Sequence, residues 1–71
     1  MNQEKLSKKG IIYIREDYVD RVFKFVATEN DFTCECKLKG EKPYSLDPRS
    51  NLAFESLLGG DEITEEEYRI Y

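Results

Sequence analysis

The chain contains no histidine. Histidine is the usual general acid or base near neutral pH and the commonest metal ligand. Its absence removes Ser-His and Cys-His nucleophiles and most metal-assisted mechanisms. Cysteine is scarce, with Cys34 and Cys36 the only two. A disulfide-stapled secreted mini-protein carries more. On a strand, residues two apart share a face with Cα atoms roughly 6.5–7 Å apart, at or beyond the disulfide limit. Tetrahedral zinc needs four ligands, and this chain offers two thiols and no imidazole. No metal or cofactor is therefore expected, and both thiols read as reduced and buried.

Other absences narrow the reading further. There is no Gly-x-Gly-x-x-Gly and no Walker-type loop, so Gly59-Gly60 reads as a simple breaker. No apolar run approaches the roughly 20 residues of a membrane span. The N-terminal lysines are not followed by an apolar stretch, unlike a secretory signal. There is no internal repeat, low-complexity tract or long linker. The acids cluster on turns and near the C-terminus, where solvation leaves no pair in contrasting environments for acid–base work. The expectation is a soluble, cytoplasmic, non-enzymatic chain with no catalytic residue to nominate.

At 71 residues the chain is long enough for one domain. A domain of this size buries only about 60% of its unfolded surface, so each large apolar side chain is presumed to be core. Residues 1–9 read as a flexible polar arm in which Leu6 alone docks, and residues 10–71 as the domain. Ile11–Arg15 is β-branched and apolar on both faces, which predicts a strand covered on both sides. Tyr18 and Val19 are expected to fold back from the connection that follows. Arg21–Thr28 and Phe32–Lys39 form a hairpin around Glu29-Asn30-Asp31. A two-residue loop at Glu29-Asn30 opposes Phe25 to Cys34 and Phe23 to Cys36. A loop at Asn30-Asp31 keeps the same faces matched; three residues would throw them out of phase. Thr33, Glu35, Lys37 and Lys39 then point outward.

Pro43–Leu46 is a short edge strand. Asp47-Pro48 reads as an N-cap and first helical residue, predicting a helix over 48–58; a strand over 52–57 is the rival. Ile63–Tyr68 fits a capping box, Thr64 to Glu67, with Ile63 and Tyr68 as its staple. A terminal strand over 68–71 is the rival there. The fold class is α+β: an antiparallel sheet of three or four strands, a meander or partly curled barrel. One short helix packs on it and a helical turn ends the chain. The predicted core is Ile11, Ile12, Ile14, Val22, Phe23, Phe25, Val26, Phe32, Cys34, Cys36, Leu38, Leu46, Phe54, Leu57 and Leu58.

Charge is uneven. Residues 1–24 hold six basic and four acidic side chains, whereas residues 46–71 hold two basic and seven acidic. Asp61, Glu62, Glu65, Glu66 and Glu67 form the dense group. They read either as a solvated helix start or as a patch docking on a basic, nucleic-acid-facing surface of a partner protein. Five tyrosines exceed what so small a core holds, and Tyr44 and Tyr71 are the interface candidates. Lys8, Lys9, Arg15, Arg21 and Lys24 are the possible phosphate contacts. A net charge of −4 opposes direct nucleic-acid binding. The expected role is thus an acidic protein-binding module, with an inhibitor the sharper form. In size and acidity it resembles the small bacteriophage proteins that block host defence, anti-CRISPR proteins among them; no motif carries the likeness. The alternatives are a homodimer or accessory subunit joined through a sheet edge, and a binder of a small nucleotide or signalling ligand.

Overall fold

The computed structural model describes residues 2–16 and 20–71. The expected fold-back of Tyr18 and Val19 lies outside them. Eight elements follow in the order α1 (Asn2–Lys9), β1 (Ile11–Glu16), β2 (Arg21–Ala27), β3 (Phe32–Leu38), β4 (Tyr44–Leu46), α2 (Asn51–Gly59), β5 (Asp61–Ile63) and α3 (Glu65–Ile70). The strands form one open antiparallel sheet in the order β4-β3-β2-β1-β5. The α+β architecture is therefore the one the sequence pattern predicts, with a fifth strand and an N-terminal helix added.

The central hairpin takes the first of the two compatible loops, with Glu29-Asn30 at its tip. Phe25 opposes Cys34 and Phe23 opposes Cys36. The Thr28 amide donates to the Asp31 carbonyl at 2.8 Å across Glu29-Asn30. The Asp31 amide returns to Thr28 Oγ1 at 3.1 Å, and Asp31 Oδ1 accepts from the Phe32 amide at 2.9 Å. These side-chain bonds satisfy the turn without a left-handed residue.

Alternation along the strands divides the sheet into two faces. On the inner face Ile12, Ile14, Phe23, Phe25, Cys34 and Cys36 join Leu6 of α1 and Ala53 and Leu57 of α2 in a single core cluster. On the outer face Tyr13 meets Tyr68 of α3, with ring centroids 5.1 Å apart. The sheet is thus covered on both sides, which explains why β1 is apolar on both of its faces. Val22 belongs to the outer face and is fully buried.

Where the sequence reads as a polar arm, residues 2–9 form α1. Glu4 lies in its first turn and Lys8 and Lys9 in its last, matching the helix dipole. Gly10 ends it with φ +81, a left-handed conformation that glycine adopts without a Cβ penalty. Its amide donates to the Leu6 carbonyl at 2.8 Å, and its own carbonyl accepts from the Ala27 amide at 2.7 Å. One glycine therefore closes the helix and starts the sheet. Leu6 is buried, and Asn2 Nδ2 donates to the Gly60 carbonyl at 2.8 Å.

Helix α2 corrects three expectations. Ser50, not Asp47, is its N-cap, accepting from the Ala53 amide. Asp47 instead closes the preceding turn, with Oδ1 accepting from the Arg49 amide at 2.9 Å. The helix is also rotated from the expected phase: Ala53, Ser56 and Leu57 face the sheet, while Phe54 and Leu58 stand exposed. Ala53 and Ser56 keep α2 close to the sheet near Gly60, where a Cβ would meet Ile14, and Leu57 fills the core beside them. Ile11, on the outer face beyond the reach of β5, is exposed as well. The strand alternative at 52–57 is excluded.

The terminal segment behaves as its sequence directs. Thr64 Oγ1 accepts from the Glu67 amide at 3.1 Å, and Glu67 Oε1 accepts from the Thr64 amide at 3.0 Å. This reciprocal box starts α3, which excludes a terminal strand at 68–71.

Candidate functional site

Of the residues expected to bind a partner, the structure keeps some together and removes others. Asp61 and Glu62 fall on β5, where neighbours point to opposite faces. Glu62 turns toward α1 and meets Lys9 at 2.8 Å and Lys5 at 3.3 Å. The hydrogen bond from Lys9 holds its carboxyl below the usual carboxylate range, and Lys5 adds to the effect. A carboxylate depressed in the fold adds stability at neutral pH, and that stability is lost as pH falls through its folded value. Glu62 is thus spent inside the molecule, and the carboxylate of Glu67 is engaged with its own helix cap. Asp61, Glu65 and Glu66 remain as an exposed acidic edge. It is held in place by β5 pairing with β1 and by the capping box.

The two tyrosine candidates separate. Tyr44 is exposed on edge strand β4, at the far side of the sheet from β5. Tyr71 instead folds back. Its carbonyl accepts from the Gly40 amide at 2.9 Å, and its ring lies 5.8 Å from Lys37 Nζ. The basic candidates do not form one stripe either. Lys9 is paired on the α1 side, whereas Arg15 and Lys24 belong to the outer face.

Cys34 and Cys36 are free and buried. Burial pushes the Cys34 thiol up to about 12, with Cys36 and Glu35 adding to the rise. A thiol so far from ionising is no nucleophile at neutral pH. Among the described residues no cluster of His, Cys, Asp or Glu could hold a metal ion, and no helix is long and apolar enough to cross a membrane.

The feature that sequence reasoning missed lies under α3. Lys37 was expected to point into solvent, but its stem is covered, leaving the residue 8% exposed, while its ammonium lies toward the Tyr71 ring. Tyr68 is 6% exposed, and its hydroxyl lies beside the Glu35 carboxylate without reaching ideal hydrogen-bond geometry. Both line a cavity of about 260 Å³ together with Tyr13, Lys24, Glu35 and Arg69. Lys24 and Glu35 are direct cross-strand partners, so β2 and β3 form the floor. Tyr68 and Arg69 descend from α3 as a wall. Burial raises the Tyr68 phenol above its ordinary range, and the Glu35 carboxylate adds to the rise. At neutral pH it is therefore a donor. The alternation of β3 placed Glu35 and Lys37 on this face; the closure of α3 over them left no signal in the strand itself.

The chain matches no protein-family model, no curated protein and no solved structure. Its function is therefore argued from these surfaces alone. On the inner side, the exposed pair Phe54 and Leu58 forms an i,i+4 stripe on α2, which carries a single charge, Glu55, over its nine residues.

Proposed function

We propose that this chain is an acidic protein-binding module that presents Asp61, Glu65 and Glu66 to a basic surface of another protein. The observation that supports it is the exposure of these three carboxylates on and beside β5, none of them in a salt bridge among the described residues. Fixed charges steer encounter with an oppositely charged surface and reject wrong partners. Where that surface also binds nucleic acid, occupation of it would be inhibitory.

The test is capture from a lysate of the cells that make the protein, at low and high salt. The control is the variant Asp61→Asn/Glu65→Gln/Glu66→Gln. A basic protein is expected to bind the native chain at low salt, with association slowed about tenfold or more by the three substitutions. Undiminished capture by the triple variant would overturn the reading.

Self-association is a second reading, favoured by Phe54 and Leu58. An exposed i,i+4 apolar pair on a helix is a common contact point between helices. Two copies of α2 packed antiparallel would set Phe54 against Leu58 in an isologous contact. Sheet-edge pairing is less favoured, since the edge strands β4 and β5 span only three residues each. Light scattering at increasing concentration is expected to show a dimer that Phe54→Ser/Leu58→Ser abolishes. A strict monomer removes this reading.

A further inference from the structure

Helix α1 carries an inference independent of either surface. We propose that α1 is a salt-sensitive strap: it releases from the sheet as one unit about Gly10, while the rest of the fold stays intact.

Three observations converge. The first is how little apolar surface holds α1. Leu6 is its one apolar side chain, and its other residues are polar or charged. A helix of eight residues is marginal in water without tertiary packing. Its polar ties reach the far end of the chain: Asn2 Nδ2 donates to the Gly60 carbonyl, and Lys5 and Lys9 grip the one carboxylate of Glu62. The second is the joint. Gly10 stands between α1 and β1 with φ +81, and a Cβ there would meet nothing within 4 Å. A glycine in open space changes its backbone angles without steric resistance. The third is that the sheet does not depend on the helix. β1 keeps β2 on one side and β5 on the other, so no strand loses its partner when α1 leaves. Segments with few apolar contacts and exposed ties are where proteins open locally.

Salt sets the position of the equilibrium. The lysine side chains of the two ion pairs are about half exposed, 49% for Lys5 and 57% for Lys9. Exposed pairs weaken as ionic strength rises, whereas the burial of Leu6 is not screened. Release also bares apolar surface. A cavity of about 430 Å³ on the flank of α1 has Leu6 in its wall beside Ala27, Phe32 and Leu57, and it opens into the inner core once Leu6 withdraws.

Native-state hydrogen exchange of the full chain, followed by NMR, tests this. The amides of Ser7, Lys8, Lys9 and Gly10 are expected to share one opening equilibrium, about tenfold or more less protected than those of Phe23 and Phe25 in the central strand β2. Raising sodium chloride from about 0.05 M to about 1 M is expected to speed exchange in α1 roughly threefold. Glu62→Gln is expected to speed it by about the same factor and to remove the salt response. Urea below the unfolding transition is expected to speed exchange steeply in β2 and only slightly in α1. Release exposes the site of one leucine, whereas global unfolding exposes the whole core. Protection that is graded along α1, a urea response in α1 equal to that of β2, or an undiminished salt response in the Glu62→Gln protein would each overturn the proposal.

Discussion

Truncating Leu6 to alanine is expected to lower stability by about 2–5 kcal/mol, the usual cost of emptying a large buried aliphatic site. Leu6 is the one apolar side chain of α1 and is 5% exposed within the inner core cluster. A domain of this length has roughly 4–10 kcal/mol of stability in total. The loss therefore moves the protein close to unfolding at room temperature. Lys8→Ala, on the exposed side of the same helix, should stay within about 0.5 kcal/mol. Urea denaturation of the two variants separates the two descriptions of residues 2–9. A docked helix gives the large difference, whereas an arm that contributes nothing gives two indistinguishable curves.

Gly60→Ala is expected to cost about 3 kcal/mol or more, and Gly59→Ala to stabilise by up to about 1 kcal/mol. The neighbouring glycines differ in what surrounds them. A Cβ at Gly59, the last residue of α2, meets nothing within 4 Å. There alanine gains helix propensity. A Cβ at Gly60 collides with the side chain of Ile14 and comes within 2.8 Å of the Ser56 carbonyl oxygen. The φ of Gly60 is −77, an ordinary value, so close approach and not backbone freedom requires glycine there. Ile14 is fully buried and cannot withdraw without disturbing the core. The Gly60 amide also donates to Ser56 at 2.8 Å, and its carbonyl accepts from Asn2. A shift at this point therefore disturbs α1, α2 and β5 together. Thermal unfolding of the two variants tests this: melting temperatures that move the same way would contradict it.

The parts of the fold that were legible in the sequence are those set by local chemistry. The matching of faces across the hairpin follows from the spacing of Phe23, Phe25, Cys34 and Cys36, because a shift by one residue turns that whole set to the wrong face; the choice between the two in-phase loops was made by the Thr28–Asp31 closure. The capping box at Thr64 and Glu67 involves groups three residues apart and forms wherever α3 starts. Helix α2 was legible as a helix, but its phase was not. Leu52, Ala53, Phe54, Leu57 and Leu58 surround most of its circumference, so periodicity names no unique inner side. Asp47 and Ser50 are both good caps, and local preference does not rank them. The signals for α1 were present in Glu4, Lys8, Lys9 and Gly10, yet one leucine gives no apolar stripe to reveal a packed helix.

The candidate sites divide in the same way. The excess of acid near the C-terminus is a property of composition, and Glu65 and Glu66 remain exposed. Which acids are free is a property of assembly: Glu62 is neutralised by Lys5 and Lys9, which lie more than fifty residues away along the chain. The cavity was the least legible feature, since Lys37 and Glu35 lie on β3, whereas Tyr68 and Arg69 arrive on α3.

The sequence by itself determined the first four strands, which faces match across the hairpin, the final helical start and the absence of an imidazole. Each depends on alternation, on contacts a few residues apart or on composition. The tertiary structure alone decided which face of α2 is inside, which carboxylates stay out of salt bridges and that the Lys37 stem and Tyr68 are covered side by side at one cavity. Those outcomes depend on which surfaces close over one another, and burial of a side chain is fixed only when a distant element covers it.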